Sequence, residues 1–149
     1  MMVNVQEKAV TYREAWARCV VKLPAAVVAQ LKDGDIQSKK GPVFHTAIIA
    51  GTMAVKKTSE LIPFCHPLPI EDVKISIEPG EGGQLLVRCK VATHYKTGVE
   101  MEALMGAQMT ALTIYDMCKA LSHDMKITDL ELMSKHGGKR DFERGIGAQ

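Results

Sequence analysis

Apolar and polar residues alternate in four stretches of the chain, and such alternation predicts β-strands with one buried face. The first stretch, TYREAWARCVVK, covers residues 11–22. Residues 73–77 and 85–91 alternate on either side of the turn PGEGGQ and predict an antiparallel hairpin. Residues 127–132 predict a last, short strand.

Apolar residues at helical spacing mark three other stretches. Pro24 and the residues AAVVAQLKDG predict a helix that ends at Gly34, and a polar loop follows over residues 35–41. Residues 42–61 predict a second helix, and the three prolines within residues 62–70 predict a stiff extended loop after it. Residues 98–122 predict a third helix about 37 Å long, comparable to the width of a whole domain.

The order of these elements is strand, two helices, two strands, helix and strand. It predicts a ferredoxin-like α+β subunit, with a four-stranded antiparallel sheet and helices packed on one face. We expect one such domain over residues 1–135. Residues 136–149 are rich in glycine and charge, and we expect them to form a flexible C-terminal tail.

Composition narrows the classes of function. With 149 residues, a net charge of +2 and 5% aromatic residues, the chain gives no support to nucleic-acid binding. It has no apolar run long enough to cross a membrane, and no signal peptide is apparent. Its four cysteines lack CxxC spacing and its histidines lack zinc-ligand spacing, so we expect a cytoplasmic protein without a metal site.

Phe64, Cys65 and His66 lie in the proline-braced loop, where rigid backbone can present functional side chains. His66 is either a proton carrier or ligand contact in a pocket wall, or a loop histidine bonded to backbone. A thiol hydrolase is disfavoured, because adjacent residues in an extended segment point to opposite sides and His66 would not activate Cys65.

The third helix carries Asp116 and Lys119, which are neighbours on one helical face. Such a pair is either a solvated ion pair or, if a cleft keeps it from water, an acid–base device. The apolar residues around it favour the second interpretation. Glu102 lies within about 40° of Asp116 around the helix but about 21 Å away along it, so two chains would have to share a pocket using both.

Two other features of the sequence are the start of the third helix and two lysines that lie beside glycines. Thr97 and Glu100 predict a capping box, with Glu100 directed away from Glu102. Lys40 and Lys135 lie beside glycines, where backbone can approach a phosphate and an ammonium can neutralise it.

Four segments in this order and spacing resemble the molybdenum cofactor biosynthesis protein C (MoaC) family: KKGPVFHTAIIAGTMAVKKTSELIPFCHPLPI, KTGVEMEALMGA, ALTIYDMCKA and KHGGK. The resemblance covers about residues 3–138. It implies a ferredoxin-like subunit in a homohexamer, built as a trimer of dimers with active sites at the dimer interface. It also implies conversion of 3′,8-cyclo-7,8-dihydro-GTP to cyclic pyranopterin monophosphate with loss of pyrophosphate.

The resemblance assigns roles position by position. It implies that Asp116, Lys119 and Lys40 are catalytic. It further implies that the substrate is bound by Phe64, Cys65, His66, Met101, Glu102, Lys135 and Arg13. The family's usual Lys-Ser-Gly-Gly reads here Lys-His-Gly-Gly, so His136 departs from the pattern.

The implied reaction needs proton transfers and charge stabilisation, so no cofactor is expected, and Mg²⁺ would enter only with the substrate's phosphates. The alternative function is a non-catalytic oligomeric module that binds a nucleotide or pterin, as ferredoxin-like subunits often do. An Asp–Lys pair inside an apolar helix favours the enzyme, since a binding module does not need it.

Overall fold

The computed structural model describes residues 1–145. In chain order, the regular elements are β1 (Thr11–Lys22), α1 (Ala25–Val28), β2 (Leu31–Lys32), β3 (Asp35–Ser38), β4 (Gly41–Pro42), α2 (Val43–Lys56), α3 (Thr58–Leu61), β5 (Asp72–Pro79), β6 (Gln84–Tyr95), α4 (Glu100–Cys118), β7 (Lys126–His136) and β8 (Phe142–Glu143). A single 3₁₀ turn, Glu81–Gly83, joins β5 to β6.

The main sheet is antiparallel, with the strand order β5-β6-β1-β7-β8. Its four long strands alternate with α2 and α4 in the order β-α-β-β-α-β, and both helices pack on the same face of the sheet. The predicted ferredoxin-like α+β fold is therefore confirmed. A fifth strand, β8, adds one two-residue pairing to the four strands that the sequence predicted.

The core lies between the sheet and α4, and small side chains bring these two surfaces together. Ala15 and Ala17 of β1 are fully buried, as are Ala103 and Ala107 of α4. Helices α2 and α4 also lie close together: a Cβ on Gly51 would come within 2.9 Å of the carbonyl oxygen of Gly106. This close packing fixes the position of α2, and of the segment that precedes it, relative to α4.

The predicted helix over residues 24–34 is wrong beyond its first turn. After α1 the chain forms a small sheet of β2, β3 and β4, where a loop was expected up to residue 41. The cause is the pair Asp33–Gly34, in which both residues have positive φ, 54° and 77°. This is the conformation of a tight two-residue hairpin turn, which Asp-Gly favours strongly.

The predicted helix over residues 42–61 is interrupted at Lys57, which separates α2 from the single turn of α3. The remaining differences concern the ends of elements. Helix α4 is 19 residues long and ends at Cys118, four residues before the predicted end. Strand β7 extends to His136 and β8 covers Phe142–Glu143, so three residues of the predicted tail lie in the sheet. The flexibility expected of the tail stays a prediction, and residues 146–149 lie outside the described part of the chain. Within residues 1–145, no helix is both long and apolar enough to span a membrane.

Candidate active site

A cavity of about 220 Å³ lies at the N-terminal end of α4. The proline-rich loop before β5 and the turn that enters α4 form its walls, and residues near the N-terminus border it. Its lining residues are Val3, Val5, Lys8, Phe64, Cys65, His66, Leu68, Thr97, Gly98, Glu100, Met101 and Glu102. All five site residues predicted from the loop and the helix start, 64–66 and 101–102, therefore meet at one pocket.

Glu102 is the buried acid of this pocket. Glu102 is 5% exposed, and its Oε2 atom has no hydrogen-bond partner among the described residues. Burial and, to a smaller extent, the charge of Glu100 raise the pKa of its carboxyl to about 7. A carboxyl of this kind changes its charge near neutral pH, where an ordinary glutamate stays ionised.

Glu100 is a pocket residue that the sequence interpretation missed. No side chain caps α4, whose first flanking residue is Val99, so the predicted capping box of Thr97 and Glu100 is wrong. The Glu100 carboxylate instead turns back over the backbone of Gly98 and forms an ion pair with Lys135, whose Nζ lies 3.3 Å from Oε1. The absence of a side chain at Gly98 provides the space for this arrangement.

Lys135 and Arg13 each contact a residue at the start of α4 or just before it. Lys135 reaches the pocket only through Glu100. Arg13 donates a hydrogen bond from Nη2 to the carbonyl oxygen of Lys96, 3.3 Å away, in the segment that leads into α4. It also lies against Gly138, which has a φ of 81°. Neither cation lines the cavity itself.

Cys65 and His66 line the cavity without a hydrogen bond between them. Burial raises the pKa of the Cys65 thiol, and the negative charges of Glu102 and Glu100 raise it further. A thiol in these surroundings stays protonated at neutral pH and is a poor nucleophile. The raised pKa of the thiol and the lack of a hydrogen bond to His66 therefore disfavour a thiol hydrolase, although both residues line the same cavity.

The three residues assigned to catalysis form a separate cluster at the C-terminal end of α4. Lys119 Nζ donates a hydrogen bond to Asp116 Oδ1 over 2.9 Å, and Lys40 Nζ donates to Oδ2 over the same distance. These bonds and charges, with Lys119 first, lower the pKa of Asp116, and Asp116 in turn raises the pKa of Lys119. The carboxylate thus has an ammonium on each oxygen.

The small β2–β4 sheet places Lys40 in this cluster. Lys40 belongs to the two-residue turn between β3 and β4, where Ser38 bonds to both the Lys40 amide and the Gly41 carbonyl. Asp35 anchors the turn to α2 by accepting a hydrogen bond from the backbone N–H of Phe44 over 2.7 Å. The sequence suggested Lys40 only through its neighbouring glycine and the family resemblance.

The cluster of Lys40, Asp116 and Lys119 is open to solvent. The side chains of Lys40, Asp116 and Lys119 are 56%, 50% and 48% exposed, respectively. None of the three lines the 220 Å³ cavity. Fourteen residues of α4, about 21 Å, separate Asp116 from the pocket acid Glu102. A single chain therefore holds the predicted site residues in two groups that one small ligand cannot bridge.

Among residues 1–145, no group of three or more His, Cys, Asp or Glu side chains is arranged to hold a metal ion. His136, which departs from the family pattern, has its Nδ1 3.4 Å from Oδ2 of Asp141. It lines a different cavity, together with Glu14 and Trp16 of β1.

Comparison with known proteins gives consistent matches over nearly the whole chain. A model of the MoaC family matches residues 2–138. A protein of Xanthomonas axonopodis pv. citri named cyclic pyranopterin monophosphate synthase is 58% identical over 141 residues, which cover 95% of this chain and 86% of that protein. Cyclic pyranopterin monophosphate synthase 3 of Mycobacterium bovis is 48% identical, with coverage of 96% and 80%. Molybdenum cofactor biosynthesis protein 1 of Dictyostelium discoideum is 51% identical and contains the match within 24% of its length.

Proposed function

The chain belongs to the MoaC family, and we propose on that basis that it is the lyase that converts 3′,8-cyclo-7,8-dihydro-GTP to cyclic pyranopterin monophosphate. Pyrophosphate is released in this step of molybdenum cofactor biosynthesis. The structural observation that carries the proposal is the Asp116 carboxylate, which accepts hydrogen bonds from two lysines at 2.9 Å.

Asp116 and Lys119 suit the proton transfers of this reaction. Rebuilding a purine-derived ring into a pterin moves protons to and from nitrogen and carbon atoms, and a positioned acid–base pair can carry them. Lys119 stabilises the carboxylate form of Asp116, and Lys40 supplies a second positive charge. The two ammonium groups can also stabilise the negative charge that grows on a departing pyrophosphate.

The pocket at the other end of α4 suits the binding of the substrate. Phe64 and Met101 offer partly exposed apolar surface, 61% and 39%, against which a planar ring can pack. His66 and Glu102 supply polar atoms that fix its orientation. Lys135 and Arg13 place positive charge behind the rim, on the side where we expect the phosphates of a GTP-derived ligand.

We propose that two chains complete each site. The outward face of α4 carries Met105, Met109 and Leu112, and Leu112 is 47% exposed. Ile49 and Met53 of α2 are also more than half exposed. We call residues 49, 53, 105, 109 and 112 the apolar helix face, and its α4 members lie between Glu102 and Asp116 along the helix. Exposed apolar patches of this kind mark protein–protein interfaces.

An antiparallel second copy gives the required geometry. Residue 109 lies midway between Glu102 and Asp116, so a two-fold axis near Met109 brings Asp116 of one chain opposite the pocket of the other. Water would leave the ion-pair cluster at the same time, which strengthens its electrostatic interactions. We further propose that three such dimers form the homohexamer that the family resemblance implies.

We propose that the chain works in the cytoplasm and uses no resident cofactor. Four free cysteines suit a reducing compartment. The proton transfers and the loss of pyrophosphate require no electron carrier. Mg²⁺ would be bound through the substrate's phosphates, and removal of free metal with a chelator should therefore weaken substrate binding without unfolding the protein.

The direct test supplies the purified protein with the cyclised GTP intermediate and measures pterin product and pyrophosphate together. We expect the two products in equal amounts. Tight binding of the intermediate without either product would instead identify the chain as a non-catalytic binding module. The Asp116→Asn variant is the matched control for product formed by contaminating enzymes.

A further inference from the structure

Another cavity, of about 420 Å³, lies on the face of the main sheet that α2 and α4 leave uncovered. Strand β1 shows the two faces. Ala15 and Ala17 are fully buried on the helix side, so Trp16 between them points to the opposite side. Trp16 lines the cavity together with Lys74 of β5 and Arg88 and Lys90 of β6. The sheet therefore separates this cavity from the pocket at the N-terminal end of α4.

The register of the strands gathers positive charge at this cavity. Lys74 lies directly opposite Lys90, and Arg88 lies directly opposite Arg18 of β1. Like charges in directly opposed positions destabilise a sheet. Two such pairs in neighbouring rows of one face therefore call for negative charge between them.

The acids nearby compensate for this charge only in part. Arg18 is held by Glu131 at 2.9 Å, and its side chain is 11% exposed. The three cations of the cavity have more distant acidic partners: 3.4 Å separates Lys90 from Glu14, 3.7 Å separates Lys74 from Asp72 and 3.8 Å separates Arg88 from Glu78. Two carboxylates, those of Glu14 and Glu143, line the cavity with the three cations. With His136 uncharged, the lining keeps one positive charge, which a monoanion would balance.

Arg88 carries an unused hydrogen-bond donor. Its Nε atom is buried and has no hydrogen-bond partner among residues 1–145. Its guanidinium lies over the ring of Trp16, 5.6 Å from the ring centre. The Nε–H and one terminal N–H of an arginine form a fork that matches the two oxygens of a carboxylate. Because a buried donor without a partner costs stability, its presence at a cavity wall points to an acceptor that a ligand brings.

We propose that this cavity binds a small molecule with one carboxylate and a flat apolar body. The guanidinium of Arg88 holds the carboxylate through its free fork, and Lys74 and Lys90 add electrostatic attraction. The body packs against Trp16 and Ile75, which also line the cavity. This site does not rest on the proposed function, because it lies on the other side of the sheet from the residues assigned to the reaction.

The test uses benzoate as the probe, with acetate and benzamide for comparison. Trp16 is the only tryptophan of the chain, so its fluorescence reports on this cavity. We expect benzoate to change the fluorescence of the full-length protein in a saturable way, and calorimetry to give the same affinity. Acetate lacks the ring and benzamide lacks the charge, so each should bind at least roughly 10-fold more weakly.

Arg88→Lys is the decisive variant, because it keeps the positive charge but lacks the fork. We expect calorimetry to show benzoate affinity at least roughly 10-fold lower in Arg88→Lys, with circular dichroism unchanged. Lys32→Gln, on an exposed lysine of β2, is the control for the loss of a positive charge and should bind benzoate like the wild type.

Two further measurements separate this cavity from the pocket beside α4. Lys135→Gln removes a cation near that pocket and should keep the benzoate response of Trp16. Arg88→Lys should form the pterin product at the wild-type rate. Absence of a saturable benzoate response in the wild-type protein, or equal benzoate affinity in the wild type and Arg88→Lys, would overturn the proposed carboxylate site and leave the proposed function untouched.

Discussion

Glu102 and Asp116 occupy the same face of α4, fourteen residues apart, yet their carboxyl groups are in opposite states. Glu102 is buried without a partner at Oε2, and its pKa is raised to about 7. Asp116 is half exposed between two ammonium groups, and its pKa is lowered. The pKa values of two acids on one helix thus differ because different parts of the chain surround them.

The surroundings differ because a different segment of the chain contacts each end of α4. The proline-rich loop closes over the N-terminal end and forms a cavity there, while the β3–β4 turn brings only Lys40 to the C-terminal end. One end has a cavity without the ion pairs of Asp116, and the other has those ion pairs without a cavity. We therefore propose that each end is half of a site and that two chains combine the halves.

The largest expected effect is the loss of turnover in Asp116→Asn. The amide keeps the shape of the side chain but cannot carry the proton, so turnover should fall by roughly 10³-fold while fold and assembly stay intact. The assay is pterin formation from the cyclised intermediate, with Asp124→Asn as a control on an exposed aspartate outside the cluster. Near-normal turnover in Asp116→Asn would remove Asp116 from its role.

The next effect tests whether the apolar helix face joins two chains. In a single chain Leu112 is 47% exposed, so lysine there should change the stability of the chain by less than about 0.5 kcal/mol. We expect Leu112→Lys to dissociate the assembly in sedimentation experiments and to lower turnover roughly 100-fold, because separated chains hold only half-sites. Val28→Lys, which places the same charge on an exposed apolar residue of α1, is the control. An active Leu112→Lys monomer would contradict a shared site.

The sequence predicted much of this arrangement, because hydrophobic periodicity reflects burial directly. The predicted bounds of the first strand, residues 11–22, coincide with β1, and the hairpin and long helix were also found. The small β2–β4 sheet was missed because the apolar run AAVV suggested a helix. In the structure, Asp33 and Gly34 instead form a tight turn that ends the helix and starts the small sheet. Short strands of two to four residues are too brief to show a period.

The candidate site was predictable only in part. Asp116 and Lys119 are three residues apart on one helix, so their contact follows from helical geometry. Glu100 was assigned to a helix cap because its spacing from Thr97 fits that motif, while its actual partner, Lys135, comes from a distant strand. Long-range pairs of this kind depend on sheet register, which the local pattern does not encode.

A smaller effect distinguishes Lys119 from Lys40, the two lysines that donate hydrogen bonds to Asp116. Lys119→Met and Lys40→Met should each raise the pKa of Asp116, and Lys119→Met should raise it more, because the hydrogen bond from Lys119 is the largest cause of its lowering. We expect turnover to fall roughly 10- to 100-fold in each. Carbon-detected NMR titration of the Asp116 carboxyl measures the order of the two shifts, and the reverse order would contradict the unequal roles.

The smallest effect concerns stability at the pocket end. The folded-state pKa of Glu102 lies above its ordinary value of 4.5, so its contribution to stability is complete below pH 4.5 and is lost as the pH rises through about 7. The full loss corresponds to roughly 3 kcal/mol. Glu102→Gln should therefore match the parent chain at low pH and exceed its free energy of unfolding at pH 8.

This comparison is best made by urea unfolding in the Leu112→Lys background at fixed protein concentration, where no partner's lysine reaches the pocket. The charged and titratable groups near Glu102 are the same in both proteins: Lys8, Lys56, Glu60, Cys65, His66, Glu100 and Lys135. A difference in stability that does not change between pH 5 and pH 8 would show that Glu102 is not a buried, unpartnered acid.

Complementation between two variants, each of which we expect to lose turnover because it alters one of the two half-sites, tests the shared site most directly. Asp116→Asn and Glu102→Gln are co-expressed with different tags, and assemblies that carry both tags are purified and assayed. In a hybrid dimer one site has both defects and the other has neither. Half of the dimers in a randomly mixed hexamer are hybrids, so the doubly tagged assemblies should regain roughly a quarter of wild-type turnover. Activity no higher than the sum of the two variants, in assemblies shown by mass spectrometry to contain both chains, would contradict a site built from two chains.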